Sequence, residues 1–244
     1  MRTGCVAGML MLAAVPAAAQ DAWEFAITPY AFLPGVTAKL NTDFGEVESR
    51  TSGSEAITNL DFAFMAAFEA RRGKLSLIGD LLYADLSSEK DTPLGRLFDS
   101  VETDTKVGAF SGYALYRAVE TPQVALDLGG GFRAYSVKYD TTLEPGRLEE
   151  VSFDLSEEWV DPILAARAIV TFNERWSANA VLDVGGFDGE NDSTWQALAS
   201  VNYAFNDRWS LRGGWRYLDT QKEIGGLRTE TELNGPIIGV GFHF

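Results

Sequence analysis

The sequence of 244 residues has one cysteine and one histidine, too few for most of the chemistry that these residues support. Cys5 lies near the N-terminus and His243 is the penultimate residue, so we expect neither disulfides nor a cluster of His and Cys metal ligands. After the N-terminus, no run reaches the ~18 apolar residues that a membrane-spanning helix needs. The chain also lacks a nucleophile elbow and a phosphate-binding loop. We therefore predict no metal, no cofactor and no catalytic residue.

The N-terminal segment has the pattern of a secretory signal. Arg2 supplies the positive end, residues 6–15 are apolar, and Pro16 interrupts them before three alanines that suit signal peptidase. The sequence therefore predicts a cleaved signal peptide at 1–19, which includes Cys5, and a single β-barrel domain at 20–244.

The remaining chain alternates between apolar and polar residues with a period of two, which is typical of strands with one apolar face. We count ten such segments. Four of their connections are short, and five are longer and polar, at 41–58, 87–103, 138–158, 188–193 and 219–233. Short and long connections alternate strictly, as in outer-membrane barrels with short periplasmic turns and longer external loops. The predicted fold is all-β: a closed antiparallel up-and-down transmembrane β-barrel of about ten strands.

Alternation alone does not say which face points outward, because a soluble lipocalin-like barrel has the same pattern with its faces exchanged. Aromatic residues gather where the apolar face meets the short turns, as an interfacial girdle requires. The opposite face carries a predicted luminal charged network, formed by Asp127, Arg133, Asp161, Arg167, Asp183, Arg212 and Arg216. Heights counted from the short turns predict two cross-strand ion pairs, Asp127–Arg167 and Arg133–Asp161.

Small and large side chains compete for the space inside the predicted barrel. Small residues on the face assigned to the lumen are Ala63, Ala67, Gly108, Gly112, Gly129, Gly131, Gly239 and Gly241. Large residues assigned to the same face include Phe110, Tyr116, Tyr135 and Arg216. A ten-stranded barrel is close in size to those whose interior is filled by side chains. We therefore favour a narrow or closed lumen with a structural or surface-interaction role, with a small cation-preferring pore as the alternative.

The net charge of -15 lies entirely in the five long connections, which hold 22 of the 35 acidic and 7 of the 20 basic residues. The acidic residues assigned to external loops are Asp140, Glu144, Glu149, Glu150, Asp154, Glu157, Glu158, Asp188, Glu190 and Asp192. They predict a solvated external surface. The more specific alternative is a surface that attracts cations, or one that divalent ions bridge to lipopolysaccharide. A calcium site at 188–192 is not favoured, because the spacing differs from that of an EF-hand. Nucleic acid is not an expected partner, because acidic loops repel phosphate.

The C-terminal third resembles small uncharacterised outer-membrane β-barrel proteins of Gram-negative bacteria. The resemblance rests on residues 159–162, 183–187 and 214–218, and on the terminal aromatic residue Phe244. It implies a place in the outer membrane, reached through the periplasm, and contact with membrane lipid and lipopolysaccharide. It also implies insertion by the barrel-assembly machinery, and it identifies neither a substrate nor an oligomeric state.

Two features test the barrel hypothesis further. Known outer-membrane enzymes use a histidine beside serine or carboxylates, whereas His243 is predicted at the periplasmic end of the last strand, so an enzyme is the least favoured alternative. Prolines are the second feature, because a closed barrel has no free edge to accommodate them. The prolines in or beside proposed strands are Pro29, Pro34, Pro162 and Pro236.

Overall fold

The computed structural model describes residues 22–42, 45–91, 98–145, 151–187, 192–224 and 227–244. In chain order, its elements are β1 (Glu24–Phe32), β2 (Gly35–Thr42), β3 (Gly45–Thr51), α1 (Gly53–Thr58), β4 (Leu60–Arg72), β5 (Leu75–Asp91), β6 (Phe98–Glu120), β7 (Val124–Pro145), β8 (Val151–Thr171), β9 (Trp176–Gly185), β10 (Ser193–Ala204), β11 (Trp209–Ile224) and β12 (Leu227–His243). Within these ranges, no helix is both long and apolar enough to cross a bilayer.

Ten strands close into one antiparallel barrel. The ladder runs in chain order from β4 to β12, and β1 lies between β4 and β12, where Ala26 pairs with His243 and Ile27 with Phe242. The β2–β3 hairpin instead extends the sheet beside the outer part of β12. The prediction of a closed up-and-down barrel of about ten strands is confirmed. The predicted signal peptide, 1–19, lies outside the described residues and stays a prediction.

Strand pleating separates an apolar outer face from a mixed interior. In β8, Leu164 points outward and is 61% exposed, whereas its neighbour Ile163 is 2% exposed. Large apolar side chains cover the outward face of the other strands in the same way, and they include Phe62, Leu77, Leu128, Leu182, Val201, Trp215 and Ile238. An aqueous surface would not favour this arrangement, because each exposed apolar side chain loses the free energy that burial supplies.

Aromatic rings form a belt at the end of the barrel that carries the short turns. Phe25 stacks on Phe244 with ring centroids 5.7 Å apart, and Phe242 contacts Trp209 at 4.7 Å. Two of the turns share one hydrogen-bond pattern, in which the side-chain oxygens of Asn173 and Asn206 each accept from the backbone N–H groups two and three residues later. Aromatic belts of this kind mark a membrane–water interface.

The prolines lie where a ladder is interrupted on one side. Pro162 pairs with β7, but on its other side the ladder with β9 begins only at Ile163. Pro236 falls between the part of β12 that pairs with β2 and the part that pairs with β1. Pro29 falls in a gap of the β1–β12 ladder, and Pro34 lies outside the strands. A proline can occupy such positions because no hydrogen-bond donor is required there.

The strands continue far beyond the positions predicted from the sequence. β6, β7 and β8 have 23, 22 and 21 residues, roughly twice the ~9–11 that cross a bilayer. The prediction of 87–103, 138–158 and 219–233 as loops is therefore largely wrong, and the predicted loop 41–58 contains the end of β2, all of β3 and α1. Asp140 and Glu144 belong to β7, and Asp154, Glu157 and Glu158 to β8, whereas Asp192 precedes β10. The predicted loop residues Glu149, Glu150, Asp188 and Glu190 lie outside the described residues.

The outer halves of β6, β7 and β8 stay extended because their residues favour strands and pair with residues of the neighbouring strand. Thr103, Thr141 and Tyr139 are of the types enriched in strands, and β6 pairs with β7 from Phe98 to Glu120. Acidic residues alternate with these residues, and that pattern gave the sequence the appearance of polar loops.

One strand was assigned to the wrong face. Phe110 and Tyr116 of β6, predicted to fill the lumen, are 42% and 58% exposed on the outer side. Their neighbours Tyr113 and Leu115 are buried inside, at 8% and 1%. Gly108 and Gly112 share the outward face with Phe110 and are not luminal. The pattern of β6 is ambiguous because this narrow lumen is itself partly apolar, so both faces carry aromatic and aliphatic residues.

Candidate functional site

A buried, hydrogen-bonded layer fills the barrel at mid-height, and Arg133 is its centre. Arg133 is fully buried, and its Nε donates to Ser111 Oγ at 2.8 Å. Its Nη2 lies 2.9 Å from both the Tyr113 hydroxyl and Asp183 Oδ2. Gln196 Nε2 donates to the same carboxylate oxygen at 2.9 Å. The guanidinium thus spans the space between β7 and β9, two strands that are not neighbours in the sheet.

Arg216 carries the layer to the opposite wall. Its Nε donates to Gln196 Oε1 at 2.7 Å, its Nη1 to the Tyr30 hydroxyl at 2.9 Å, and its Nη2 lies 2.9 Å from Asp80 Oδ2. Tyr30 donates in turn to Asp80 Oδ1 at 2.6 Å. Side chains of seven of the ten barrel strands therefore meet in one network. We name these eight residues the mid-barrel layer: Tyr30, Asp80, Ser111, Tyr113, Arg133, Asp183, Gln196 and Arg216.

An apolar cluster covers the mid-barrel layer on the side of the long connections. Phe32, Leu82 and Ile237 are 3%, 4% and 7% exposed and pack with Tyr135. The Tyr135 ring stacks on Trp159 with centroids 4.7 Å apart. The lumen is thus closed at mid-height by a charged layer and an apolar layer, each packed from several strands. Tyr135 and Arg216 lie inside the barrel, as the sequence predicts.

A second charged network lies nearer the short turns, around Asp127. Its two carboxylate oxygens lie 2.8 Å from Arg117 Nε and 2.8 Å from Arg167 Nη2. Arg167 Nη2 is also 2.9 Å from Glu69 Oε1 and donates to Ser76 Oγ at 3.0 Å. This network braces β4, β5, β6, β7 and β8 against one another.

The two ion pairs predicted from the sequence have different outcomes. Asp127 and Arg167 are paired at 2.8 Å. Arg133 and Asp161 lie opposite each other in the β7–β8 ladder, as expected, but the salt bridge of Arg133 goes across the lumen to Asp183. Asp161 accepts from Trp159 Nε1 at 3.2 Å. The long arginine side chain reaches across a narrow lumen as easily as it reaches the neighbouring strand. The ladder register alone therefore predicted the wrong carboxylate as the partner of Arg133.

Below the mid-barrel layer, a cavity of about 420 Å³ extends to the end with the short turns. Its upper end is lined by Tyr30, Asp80 and Arg216, and its lower end by Arg175 and His243. We name this cavity the cup. Arg212, the remaining member of the predicted luminal network, is half-buried in the cup wall, where its Nε donates to Asn202 Oδ1 at 2.6 Å.

The single histidine lies at the rim of the cup. His243 Nε2 is 3.3 Å from Ser210 Oγ, a contact that the sequence analysis missed although both residues were assigned to strand ends. No other side chain in the described ranges hydrogen-bonds the His243 ring, so the orienting third group of a catalytic triad is missing there. In the same ranges, no group of three or more His, Cys, Asp or Glu residues is arranged to hold a metal ion.

A comparison with protein-family models identifies the fold family. The model of the outer membrane protein beta-barrel domain matches residues 5–244. The chain belongs to this family. It is an outer-membrane β-barrel protein, and the predicted resemblance and location are confirmed. A search of curated proteins finds no match.

Solved barrels are similar to the outer-membrane protein only distantly. The transport unit of the autotransporter AIDA-I from Escherichia coli is 9% identical, with a TM-score of 0.45 over 96% of this chain and 94% of that chain. The translocator domain of the autotransporter NalP from Neisseria meningitidis is 12% identical, with a TM-score of 0.39 over 93% and 90%. Neisserial surface protein A is 15% identical, with a TM-score of 0.34 over 90% and 97%.

Five of the eight residues of the mid-barrel layer were not singled out from the sequence. The residues missed in the two luminal networks are Tyr30, Glu69, Ser76, Asp80, Ser111, Arg117 and Gln196, and the face of Tyr113 was misassigned. A signal for some of them was present, because Glu69 has the same parity as the luminal Ala67, and Asp80 lies between outward-facing Gly79 and Leu81. A polar residue on the inner face of a barrel strand is a candidate for such a network even without an opposite charge on the next strand.

Asp219 lies on the outward face of β11, just beyond the stacked Trp195 and Tyr217 rings at the outer interface. It is 5% exposed and lies opposite Glu232 in the ladder. Burial, and after it the charges of Glu230 and Glu232, raise the pKa of the Asp219 carboxyl, and Lys39 opposes them. A carboxyl whose pKa is higher in the folded state than in the unfolded state destabilises the fold when it is ionised.

We expect Asp219→Asn to stabilise the barrel at pH 7 by about 0.2–1 kcal/mol, the range for one unfavourable cross-strand pair. The gain should shrink as the pH falls through the raised pKa and vanish below the ordinary value of 3.8, where Asp219 is protonated in both states. Urea unfolding in detergent micelles at pH 7 and pH 3 measures it. Asp207→Asn, in an exposed turn, is the control, and a gain that persists at pH 3 would contradict the argument.

Proposed function

We propose that this outer-membrane barrel does not conduct ions and acts through its external surface. The observation that supports this is the closure of the lumen by the mid-barrel layer and the apolar cluster above it. Arg133, Asp183 and Arg216 are 0–2% exposed, so water reaches almost none of their surface. An ion crossing the barrel would have to separate these charged side chains from their salt-bridge and hydrogen-bond partners. Separating a buried ion pair is energetically unfavourable.

The external part of the protein offers a large acidic surface to a partner. β5 to β8 form a continuous wall beyond the apolar band, and the described acidic residues of this wall include Glu102, Asp104, Asp140, Asp154, Glu157 and Glu158. Charge of one sign steers oppositely charged partners and rejects others. We propose cationic surface partners and divalent ions that bridge to lipopolysaccharide as the ligands of this wall, and membrane lipid as the neighbour of the apolar band. Nucleic acid is not a proposed partner.

The proposal includes neither catalysis nor a bound cofactor. The contact between Ser210 and His243 lies at the rim of the cup and not on the external surface, and nothing in the described ranges orients the histidine as a base. Insertion through β12 by the barrel-assembly machinery is part of the proposal, because this strand closes the barrel against β1 and ends in the aromatic belt.

Single-channel recording tests the closed lumen. The mature protein, residues 20–244, is refolded in detergent and added to a planar bilayer under a KCl gradient, with a general porin as the positive control. We expect no steps from protein whose folding is verified by its heat-dependent mobility on a gel. Steady cation-selective steps, weakened by neutralising Asp154, Glu157 and Glu158, would replace this proposal with the alternative of a small cation-preferring pore.

A further inference from the structure

The wall of the cup carries an arginine, Arg212, whose charge is not matched by a carboxylate in contact with it; Arg175 at the rim has no ion pair among the described residues either, but it is exposed. The other luminal arginines, 117, 133, 167 and 216, each have a carboxylate oxygen within 2.9 Å. Within the described ranges, Arg212 has no carboxylate within the 4.0 Å of an ion pair. Glu69 and Asp80 are the acids whose charge reaches Arg212 through space, and both already bind other arginines.

Most of the hydrogen-bonding capacity of Arg212 is unused by the protein. A guanidinium has five N–H donors, and in the described chain only Nε of Arg212 is engaged, by Asn202 Oδ1 at 2.6 Å. That bond fixes the stem of the side chain and leaves both terminal amino groups for a ligand. Asn202 is itself held, since its Nδ2 donates to Ser177 Oγ at 3.4 Å. The guanidinium is therefore positioned before any ligand arrives, which reduces the entropy lost on binding.

The surroundings of Arg212 leave space and supply neutral donors. Gly239 is the ladder partner of Arg212 on β12, so β12 itself adds no side chain to the cup at that height. Thr28, Asn179 and Ser210 also line the cup and can donate to an anion without adding charge. At about 420 Å³, the cup falls in the size range of small-molecule sites. Its lining combines apolar side chains with many polar ones, among them the carboxylates of Glu69, Asp80 and Glu174.

We propose that the cup binds the oxyanion group of a small periplasmic molecule, a carboxylate or a phosphate, through a bidentate contact with Arg212. A guanidinium fork matches the geometry of both anions. The cup extends to the end with the short turns, which is the periplasmic end of an outer-membrane barrel. The mid-barrel layer closes its upper end, so the ligand enters and leaves on the periplasmic side and is not carried across the membrane.

Nuclear magnetic resonance on the refolded mature protein in micelles tests the proposal. Inorganic phosphate and acetate are titrated separately at constant ionic strength, and the Nε–Hε signal of Arg212 and the backbone amide signals of Asn202 and Gly239 are followed. We expect these signals to shift saturably with at least one of the two anions, and the more effective anion identifies the ligand class. If neither anion moves them, or if the exposed arginines shift equally, the proposal is wrong.

Three variants separate a site from a general charge effect. We expect Arg212→Gln to lower the affinity for the anion at least tenfold, as measured from the backbone amide signals of Asn202 and Gly239. Arg208→Gln removes the same charge from an exposed turn at the same end and is expected to bind within twofold of the parent. Arg212→Lys keeps the charge but loses the fork, so intermediate binding is expected. Unchanged binding by folded Arg212→Gln would also overturn the proposal.

Discussion

Asp183→Asn is expected to destabilise the barrel by about 3–5 kcal/mol, the usual cost of breaking a buried ion pair from one side. Asp183 is 2% exposed, and its Oδ2 accepts from Arg133, Tyr113 and Gln196 at 2.9–3.0 Å. The substitution leaves the fully buried Arg133 guanidinium without its salt-bridge partner, and three side chains lose a charged acceptor. The difference is measured as a shift of the urea unfolding curve in detergent micelles or liposomes.

A double variant that removes both charges of the ion pair distinguishes a loss of charge pairing from a loss of packing. If the penalty comes from the orphaned guanidinium, adding Arg133→Met to Asp183→Asn should recover most of the lost stability, because both charges are then removed together. Asp154→Asn, on the exposed outer part of β8, is the control and should stay within about 0.5 kcal/mol of the parent. A double variant no more stable than Asp183→Asn alone would assign the loss to shape and not to charge.

The barrel was predictable because its strongest determinants are local. Period-two alternation gives the strands and, except in β6, their outward faces, and the alternating lengths of the connections give the up-and-down order. Register followed from counting residues from each short turn, which placed Asp127 opposite Arg167 and Arg133 opposite Asp161 as the ladder has them. These predictions depend on neighbouring strands only, so they needed no knowledge of how the barrel closes.

The contacts that fill the lumen depend instead on closure. Arg133 reaches Asp183 two strands away, and Arg216 on β11 reaches Tyr30 on β1 across the seam of the barrel. Such distances are set by the curvature of the sheet and by side-chain length, neither of which is expressed in strand periodicity. The faces of β6 were predicted wrongly for a related reason. The narrow lumen buries Leu115 and Tyr113 as an ordinary core would, so apolar character does not identify the outer face of this strand.

The tight approach of β6 and β7 explains why two luminal positions of β7 are glycine. A Cβ on Gly131 would lie 1.7 Å from the carbonyl oxygen of Gly112, and one on Gly129 would lie 2.0 Å from that of Ala114. Neither glycine has a positive φ, so the constraint is steric and not conformational. Tyr113, opposite Gly131 in the ladder, uses this space to enter the mid-barrel layer.

Gly131→Ala is therefore expected to destabilise the barrel by about 3 kcal/mol or more, because the atom in the way is backbone and the ladder itself must separate. Gly213→Ala is the matched control: the same methyl group is added on the outward face of β11, where nothing lies within 4 Å. There we expect a gain of about 0.4–1 kcal/mol from the restricted unfolded chain. The two variants should shift the urea midpoint in opposite directions, and a Gly131→Ala barrel as stable as the parent would show that β6 and β7 are not in this close contact.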